Sequence, residues 1–139
     1  MLLLVDLDGV VYRQAEAVPG VAAVLAERAA AGDDVVYVTN NALAYHADYV
    51  PRLAAHGAPV ALDRIVTSAS AAAGWLREQL PQTRRVLVVG AGGLERELSE
   101  AGFDVVGAGE AATRMSHEGL DGWAAAGRPD AVVVARPRR

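Results

Sequence analysis

The stretch Leu2-Leu3-Leu4-Val5-Asp6-Leu7-Asp8-Gly9-Val10 is an apolar run that leads directly into two aspartates one residue apart and a glycine. Because the run is too short for a helix, it predicts a strand that is buried on both faces, as in parallel α/β sheets. Such sheets bind ligands beyond the carboxyl ends of their strands, and Asp6 and Asp8 stand at that end. Side chains two residues apart along a strand share a face, so both carboxylates are expected in one pocket. A curl of the chain after Asp6 can also bring them together.

Two carboxylates this close repel each other unless a cation lies between them. Mg²⁺ is suited to that position, because it needs only one or two carboxylates and fills its other positions with water or phosphate oxygens. A carboxylate can also attack phosphorus and form an aspartyl-phosphate. The pair therefore predicts Mg²⁺-assisted phosphoryl transfer. An ordinary strand-to-turn junction is the alternative, since Asp and Gly are common turn residues.

The composition is that of one globular domain, or of one domain and a fragment. The chain has 139 residues, of which 53% are hydrophobic and 22% charged, so it can build a core. The net charge of −4 argues against a nucleic-acid surface, and the absence of cysteine excludes disulfides and thiol catalysis. No apolar run reaches the length of a membrane span or of a signal peptide. We therefore expect a cytoplasmic protein with no nucleic acid and no membrane among its partners. All 13 basic residues are arginine.

A second buried run, Val35–Val38, ends in the polar residues Thr39, Asn40 and Asn41. These side chains stand at the end of their strand, as the aspartates do in the first strand. Hydroxyl and amide groups suit phosphate oxygens, so the three residues are candidate phosphate ligands. They could equally cap the next helix, and both roles are compatible because a helix N-terminus attracts anions.

The remaining segments complete an α/β pattern. Helices are expected over 21–31, 48–56, 68–80 and 94–101, and further strands over 65–68, 86–89, 103–106 and 130–134. The segment 107–127 is polar and poorly periodic, and it predicts a short helix around Trp123 and a mobile loop. His46 and His56 are expected at the surface, and Ser68 and Ser70 are expected to cap a helix rather than act as nucleophiles.

The turn Gly90–Gly93 joins a strand to a helix in a Rossmann-like βαβ unit and invites a nucleotide-binding interpretation. The dinucleotide fingerprint is only half met, because Glu95 occupies the position of its third glycine. The acidic residue that should follow the next strand is also missing. A nucleotide-binding module that uses this turn is kept as an alternative function.

Five pieces of the sequence resemble, in order and spacing, the haloacid dehalogenase superfamily and its type IIA branch. They are Val5–Arg13, which is similar to the first motif of the superfamily, then Pro19-Gly20, Val38–Asn41, Ile65–Ala69 and Val88–Leu94. The branch includes phosphoglycolate, 4-nitrophenyl phosphate and sugar- or nucleotide-phosphate phosphatases. The resemblance covers nearly the whole chain, up to about Val134.

The resemblance implies a role for each candidate site residue. Asp6 would be the nucleophile and a Mg²⁺ ligand. Asp8 would be the general acid/base and would lend a backbone carbonyl to the metal. Thr39 would bind the phosphate through its hydroxyl, with Asn40 and Asn41 as further polar contacts. The implied reaction is hydrolysis of a small phosphorylated metabolite.

The resemblance also implies groups that this sequence lacks. A third motif should supply a lysine, and a fourth should supply an acidic pair for Mg²⁺ beyond residue 139. We therefore expect a C-terminally truncated member, with half of a three-layer parallel-sheet core (1–80) and half of an α/β cap (81–139). A catalytically inactive fragment is the alternative. Half a core leaves the edge of the Leu2–Val5 strand unpaired, which predicts low stability and a homo-oligomer through that edge.

Overall fold

A computed structural model of the chain describes residues 1–90, 92–125 and 127–135. The chain forms two compact units, the first made of Met1–Asn41 and Tyr45–Ser68 and the second of Ala42–Ala44 and the described part of Ala69–Arg139. The predicted division into core and cap at residues 80 and 81 stays a prediction. Among the described residues, no helix is both long and apolar enough to cross a membrane.

The first unit is built on a three-stranded parallel sheet in the order β1-β4-β5. Its strands are β1 (Leu2–Asp6), β2 (Tyr12–Arg13), β3 (Glu16–Ala17), β4 (Asp34–Thr39) and β5 (Ile65–Thr67), and its helices are α1 (Val21–Ala30) and α2 (Tyr49–Ala55). The short strands β2 and β3 form a separate antiparallel hairpin. Pro51 lies in the first turn of α2, where its missing amide hydrogen costs no intrahelical bond.

Strand β1 lies at the edge of this sheet, with β4 as its partner, and the predicted burial of both its faces is wrong. Leu2 and Leu4 are 58% and 65% exposed, while Leu3 and Val5 are half-buried. This alternation is that of a strand with one packed face and one open face. An unbroken apolar run does not distinguish it from a strand covered on both sides.

Strand β4 is the central strand of the sheet and its best-buried member. Tyr37 is fully buried, and its hydroxyl donates a hydrogen bond to the carbonyl of Pro59 over 2.8 Å. Burial raises the pKa of Tyr37 above its ordinary value of 10.0, because the ionised phenolate loses its hydration. An ion pair stabilises the start of the strand, where the carboxylate of Asp34 lies 3.0 Å from the guanidinium of Arg64.

The second unit contains a parallel sheet in the order β7-β6-β8. Its elements are α3 (Ser68–Gln79), β6 (Arg85–Val89), α4 (Gly92–Glu100), β7 (Asp104–Gly107), α5 (Ala108–Ala125) and β8 (Ala131–Val134). Its core joins α3 and α4 to β6 through the buried residues Ala69, Ala73, Leu76, Val86, Val88, Leu94 and Leu98. Together the two units confirm the predicted α/β class with parallel sheets.

Asp130, which directly precedes β8, links the start of β8 to the start of β6. Its Oδ2 accepts the backbone amides of Arg84 and Arg85 at 2.8 and 2.9 Å. These amide bonds hold the pKa of Asp130 below its ordinary value of 3.8, since they favour the charged carboxylate.

The segment that was expected to be mostly a loop is helical. Helix α5 covers Ala108–Ala125 and is interrupted at Gly119, whose φ of 70° and ψ of −174° are non-helical. The residues of α5 before Gly119 are mainly exposed, and Ala111 is its buried contact among the described side chains. A helix that packs through so little surface needs no apolar stripe, so periodicity gives no signal for it.

Candidate active site

The structure places Asp6 at the carboxyl end of β1, as the last residue of the strand. In the parallel register Asp6 lies opposite Val38, so Thr39 extends one residue beyond this pair on the adjacent strand. Neighbouring strands lie about 4.8 Å apart. The ends of β1 and β4, with their polar residues, therefore meet at one edge of the sheet. Side-chain alternation puts Asp6 on the face of Val38 and Thr39 on the opposite, buried face.

The chain curls immediately after Asp6 rather than continuing as a strand. The carbonyl of Leu7 accepts the amides of Val10, Val11 and Tyr12 at 3.4, 3.0 and 3.3 Å. Gly9 makes this turn possible, because its φ of 88° lies in the left-handed region. Asp8 is thus held in a tight loop rather than on a strand.

Asp6 and Asp8 differ in their surroundings. Asp6 is exposed, whereas Asp8 is half-buried and its Oδ2 is shielded from solvent. Asp8 also forms an isolated parallel bridge with Tyr12, and the amide of Gly9 donates to the carbonyl of Tyr12 over 2.7 Å. The backbone of Tyr12 therefore fixes that of the Asp8 loop.

Thr39 is buried to 6% exposure, and its Oγ1 accepts the amide of Asn41 over 3.1 Å. This contact is a short side-chain turn of the kind that Ser and Thr form with the residue two positions on. The bond uses an oxygen lone pair, so the hydroxyl proton of Thr39 can be donated to another acceptor. That is the property a phosphate-binding hydroxyl needs.

Ser68 has a role that the sequence did not reveal. Its Oγ donates a hydrogen bond to the carbonyl of Asn40 over 3.0 Å. The bond joins the end of β5 to the polar segment that follows β4. Ser68, expected as a helix cap, therefore supports the backbone of Asn40 and Asn41, and its sequence separation of 28 residues explains why no local pattern showed this.

The hairpin β2–β3 was also missed, and it lies directly after the Asp8 loop. Its residue Tyr12 is fully buried and packs against α2, with the Arg52 guanidinium 3.7 Å from the ring centroid. The ring of His56 lies 5.7 Å from the same ring. His56 is half-buried, so its predicted surface position is only partly correct. Arg52 of α2 and His56, which directly follows the helix, thus both support the hairpin.

The donor set suits a magnesium ion held largely by non-protein ligands. Mg²⁺ usually takes only one or two carboxylates from a protein, which Asp6 at the end of β1 and Asp8 in the loop after it offer, with water and phosphate oxygens completing its shell. Within the described part of the chain, no cluster of three or more His, Cys, Asp or Glu side chains could hold a metal. Asp6 and Asp8 would therefore supply only part of the ligands of a Mg²⁺ ion, and the metal site stays a prediction.

Comparison with known proteins places the chain in a family. The family model described as haloacid dehalogenase-like hydrolase matches residues 3–104. The chain belongs to the haloacid dehalogenase-like hydrolases. Glycerol-3-phosphate phosphatase of Gallus gallus is 40% identical over 111 residues, which are 79% of this chain and 36% of the relative. The chain therefore spans well under half the length of such relatives.

Solved structures of the family share the fold. NagD from Escherichia coli K-12 has a TM-score of 0.73 at 31% identity, covering 99% of this chain and 46% of NagD. A glycerol phosphate phosphatase from Mycobacterium tuberculosis, in complex with magnesium, has a TM-score of 0.71 at 31% identity. The match covers 98% of this chain and 35% of the phosphatase chain. These phosphatases confirm the resemblance to the type IIA branch and the α/β class, and this chain matches a part of them.

The glycine-rich turn of this haloacid dehalogenase-like chain is explained by close packing. A Cβ on Gly93 would lie 2.6 Å from backbone atoms of Leu43 and Ala44, and the Gly93 amide donates to the carbonyl of Leu43 over 3.1 Å. A Cβ on Gly90 would lie 2.9 Å from that of Ala135. The start of α4 is thus occupied by protein backbone, which does not favour the nucleotide-binding alternative.

Proposed function

We propose that this chain carries the nucleophilic half of a phosphatase that hydrolyses small phosphomonoesters through a phosphorylated Asp6. The observation that carries the proposal is the register of β1 with β4, which brings Asp6 and Thr39 to one edge of the sheet. Asp6 and Thr39 lie on opposite faces of the sheet, but a phosphate bound beyond the ends of the strands can be reached from both faces. Both side chains can therefore contact the same phosphate. The names of the family relatives, which are phosphatases, support the same chemistry.

The reaction has two balanced steps. A carboxylate oxygen of Asp6 attacks phosphorus while the bond to the alcohol oxygen breaks, and Asp8 gives its proton to that oxygen. Asp8 then takes a proton from water as the water attacks phosphorus, which releases inorganic phosphate and restores Asp6. The hydroxyl of Thr39 donates to a phosphate oxygen throughout, with Asn40 and Asn41 as neighbouring polar groups. When bound at Asp6 and Asp8, Mg²⁺ offsets the negative charge of the phosphate.

The surroundings of the two carboxylates support their separate roles, with Asp6 as the nucleophile and Asp8 as the proton donor. The exposed Asp6 is accessible to a substrate arriving from solvent. The loop that holds Asp8 is fixed by the carbonyl of Leu7 and by Tyr12, so the proton donor keeps one position in both steps. Fixed geometry of this kind is what general acid catalysis requires.

A turnover assay with 4-nitrophenyl phosphate and Mg²⁺ tests the proposal. We expect activity that is lost on chelation of the metal and in the Asp6→Asn variant, which keeps the shape but not the nucleophile. Asp63→Asn is the matched control, because its side chain is 78% exposed in the same unit and outside the site. Equal rates in the wild type and Asp6→Asn would contradict the proposal, and no turnover above buffer would favour the inactive-fragment alternative.

The cytoplasmic location and the homo-oligomer through β1 stay predictions.

A further inference from the structure

Arg52 on α2 contacts the β2–β3 hairpin at two separate points. Its guanidinium carbon lies 3.7 Å from the centroid of the Tyr12 ring, and its NH2 donates a hydrogen bond to the carbonyl of Gln14. Gln14 is the turn residue of the hairpin and has a φ of 56°, in the left-handed region that residues other than glycine rarely adopt. One side chain therefore fixes both the strand and the strained turn of the hairpin.

The backbone of Tyr12 transmits this constraint to Asp8. Its amide donates to the carbonyl of Leu7 and its carbonyl accepts the amide of Gly9, so the residues on both sides of Asp8 are bonded to Tyr12. Asp8 itself is bridged to Tyr12. Because the Tyr12 ring is fully buried, the backbone at Tyr12 cannot move without disturbing its contact with Arg52.

We propose that Arg52 is a positioning residue that holds Asp8 in place for proton transfer, acting through Tyr12. The inference rests on the proposed function, in which Asp8 protonates the leaving alcohol. Arginine suits the task better than lysine, because its planar guanidinium can stack on an aromatic face while an N–H of the same group reaches a carbonyl.

In the phosphorylation step, the position of Asp8 matters only where the leaving group needs a proton. The 4-nitrophenolate ion leaves without protonation, whereas the alkoxide of glycerol phosphate does not. The value of kcat/KM reports the steps up to phosphorylation of Asp6, which includes departure of the alcohol. Misplacing Asp8 should therefore reduce kcat/KM for glycerol phosphate and have little effect on that for 4-nitrophenyl phosphate.

The first experiment needs no catalysis. Amide hydrogen exchange is compared in the full chain for wild type, Arg52→Ala and Arg52→Lys, with Arg64→Ala as a control whose side chain pairs with Asp34 and Asp63 instead. In Arg52→Ala we expect exchange at the hairpin and Asp8-loop amides to accelerate about 5- to 100-fold. Arg52→Lys should be intermediate, and amides of β4 should be unchanged in both Arg52 variants. Unchanged protection in the hairpin, or an equal loss in β4, would overturn the inference.

The second experiment measures the ratio of kcat/KM for glycerol phosphate to that for 4-nitrophenyl phosphate, in the presence of Mg²⁺. Arg52→Ala should lower this ratio about 10- to 100-fold, with partial rescue in Arg52→Lys and no change in Arg64→Ala. Asp8→Asn is the reference for complete loss of the proton donor. An unchanged ratio in an active Arg52→Ala enzyme would refute the inference and leave the proposed function standing. Failure of the wild type to turn over either ester would count against the proposed function, and the exchange experiment would still decide the role of Arg52.

Discussion

Replacing Gly93 by alanine tests whether the glycine-rich turn exists for packing. The new Cβ would lie 2.6 Å from three backbone atoms of Leu43 and Ala44, which cannot rotate away as a side chain could. Overpacking of this kind costs about 1–3 kcal/mol, and separating the two segments weakens the 3.1 Å bond from the Gly93 amide to Leu43, worth about 0.5–1.5 kcal/mol. Alanine also stabilises the fold by about 0.4–1 kcal/mol, because it reduces the conformational entropy of the unfolded chain. The free energy of unfolding of the variant should therefore be about 2 kcal/mol lower than that of the wild type.

The neighbouring Gly92 is the matched control, since it lies in the same first turn of α4 and a Cβ added to it would meet no atom within 4 Å. Gly92→Ala should therefore stabilise the chain by about 0.4–1 kcal/mol. Urea denaturation followed by circular dichroism measures both; with a slope of about 2 kcal/mol per molar urea, Gly93→Ala should unfold about 1 M earlier than wild type. Equal midpoints for the two variants would refute the packing argument, and a phosphate cradle would make both glycines intolerant of substitution.

Three further predictions concern single side chains. Thr39→Val should lower kcat/KM about 100-fold or more, as loss of one hydrogen bond donor to a developing charge does, whereas Thr67→Val, at the paired position on β5, should change only the urea midpoint. Hydrogen bonds from the backbone amides of Arg85 and Arg84 lower the pKa of Asp130 in the folded chain. The stability that these bonds supply is therefore complete above the ordinary pKa of Asp130, and it is lost as the pH falls through the lower pKa of the folded state. The stability gap between wild type and Asp130→Asn should accordingly narrow as the pH falls below the ordinary pKa of 3.8, and a constant gap would contradict this. The pKa of Tyr37 is raised by burial, so its contribution is present below pH about 10 and declines above it; an alkaline titration by circular dichroism should show wild type and Tyr37→Phe converging, and parallel curves would count against it.

The regular elements of the fold were predictable where burial imposes a period on the sequence. The helix following Pro19-Gly20 was predicted from apolar residues at helical spacing, and the strand ending at Thr39 from a short unbroken apolar run. The β2–β3 hairpin was not predicted, since strands of two residues carry no period. Helix α5 was missed for the opposite reason, because an exposed helix needs no apolar stripe.

The same distinction applies to the candidate site. Asp6, Asp8 and Thr39 could be selected because a polar residue directly after a short apolar run is a local signal. Arg52 and Ser68 could not, because their partners lie 38 and 28 residues away in the sequence. Contacts over such distances are determined by the packing of whole elements, which one sequence does not specify residue by residue.

In the proposed function, the charges at the end of β1 create a need for a cation. The attacking carboxylate of Asp6 and a phosphomonoester both carry negative charge in that reaction, and two unit charges about 4 Å apart repel by about 4 kcal/mol at an effective dielectric constant of about 20. A neutral hydrogen bond such as that offered by Thr39 contributes only about 0.5–1.5 kcal/mol, so it cannot offset the repulsion. None of the residues that the proposal places at the site is basic; they are Asp6, Asp8, Thr39, Asn40 and Asn41. In this proposal the carboxylate that would make Asp6 a nucleophile would also create the need for a divalent ion beside it, so mutation of Asp6 alone would remove both properties together.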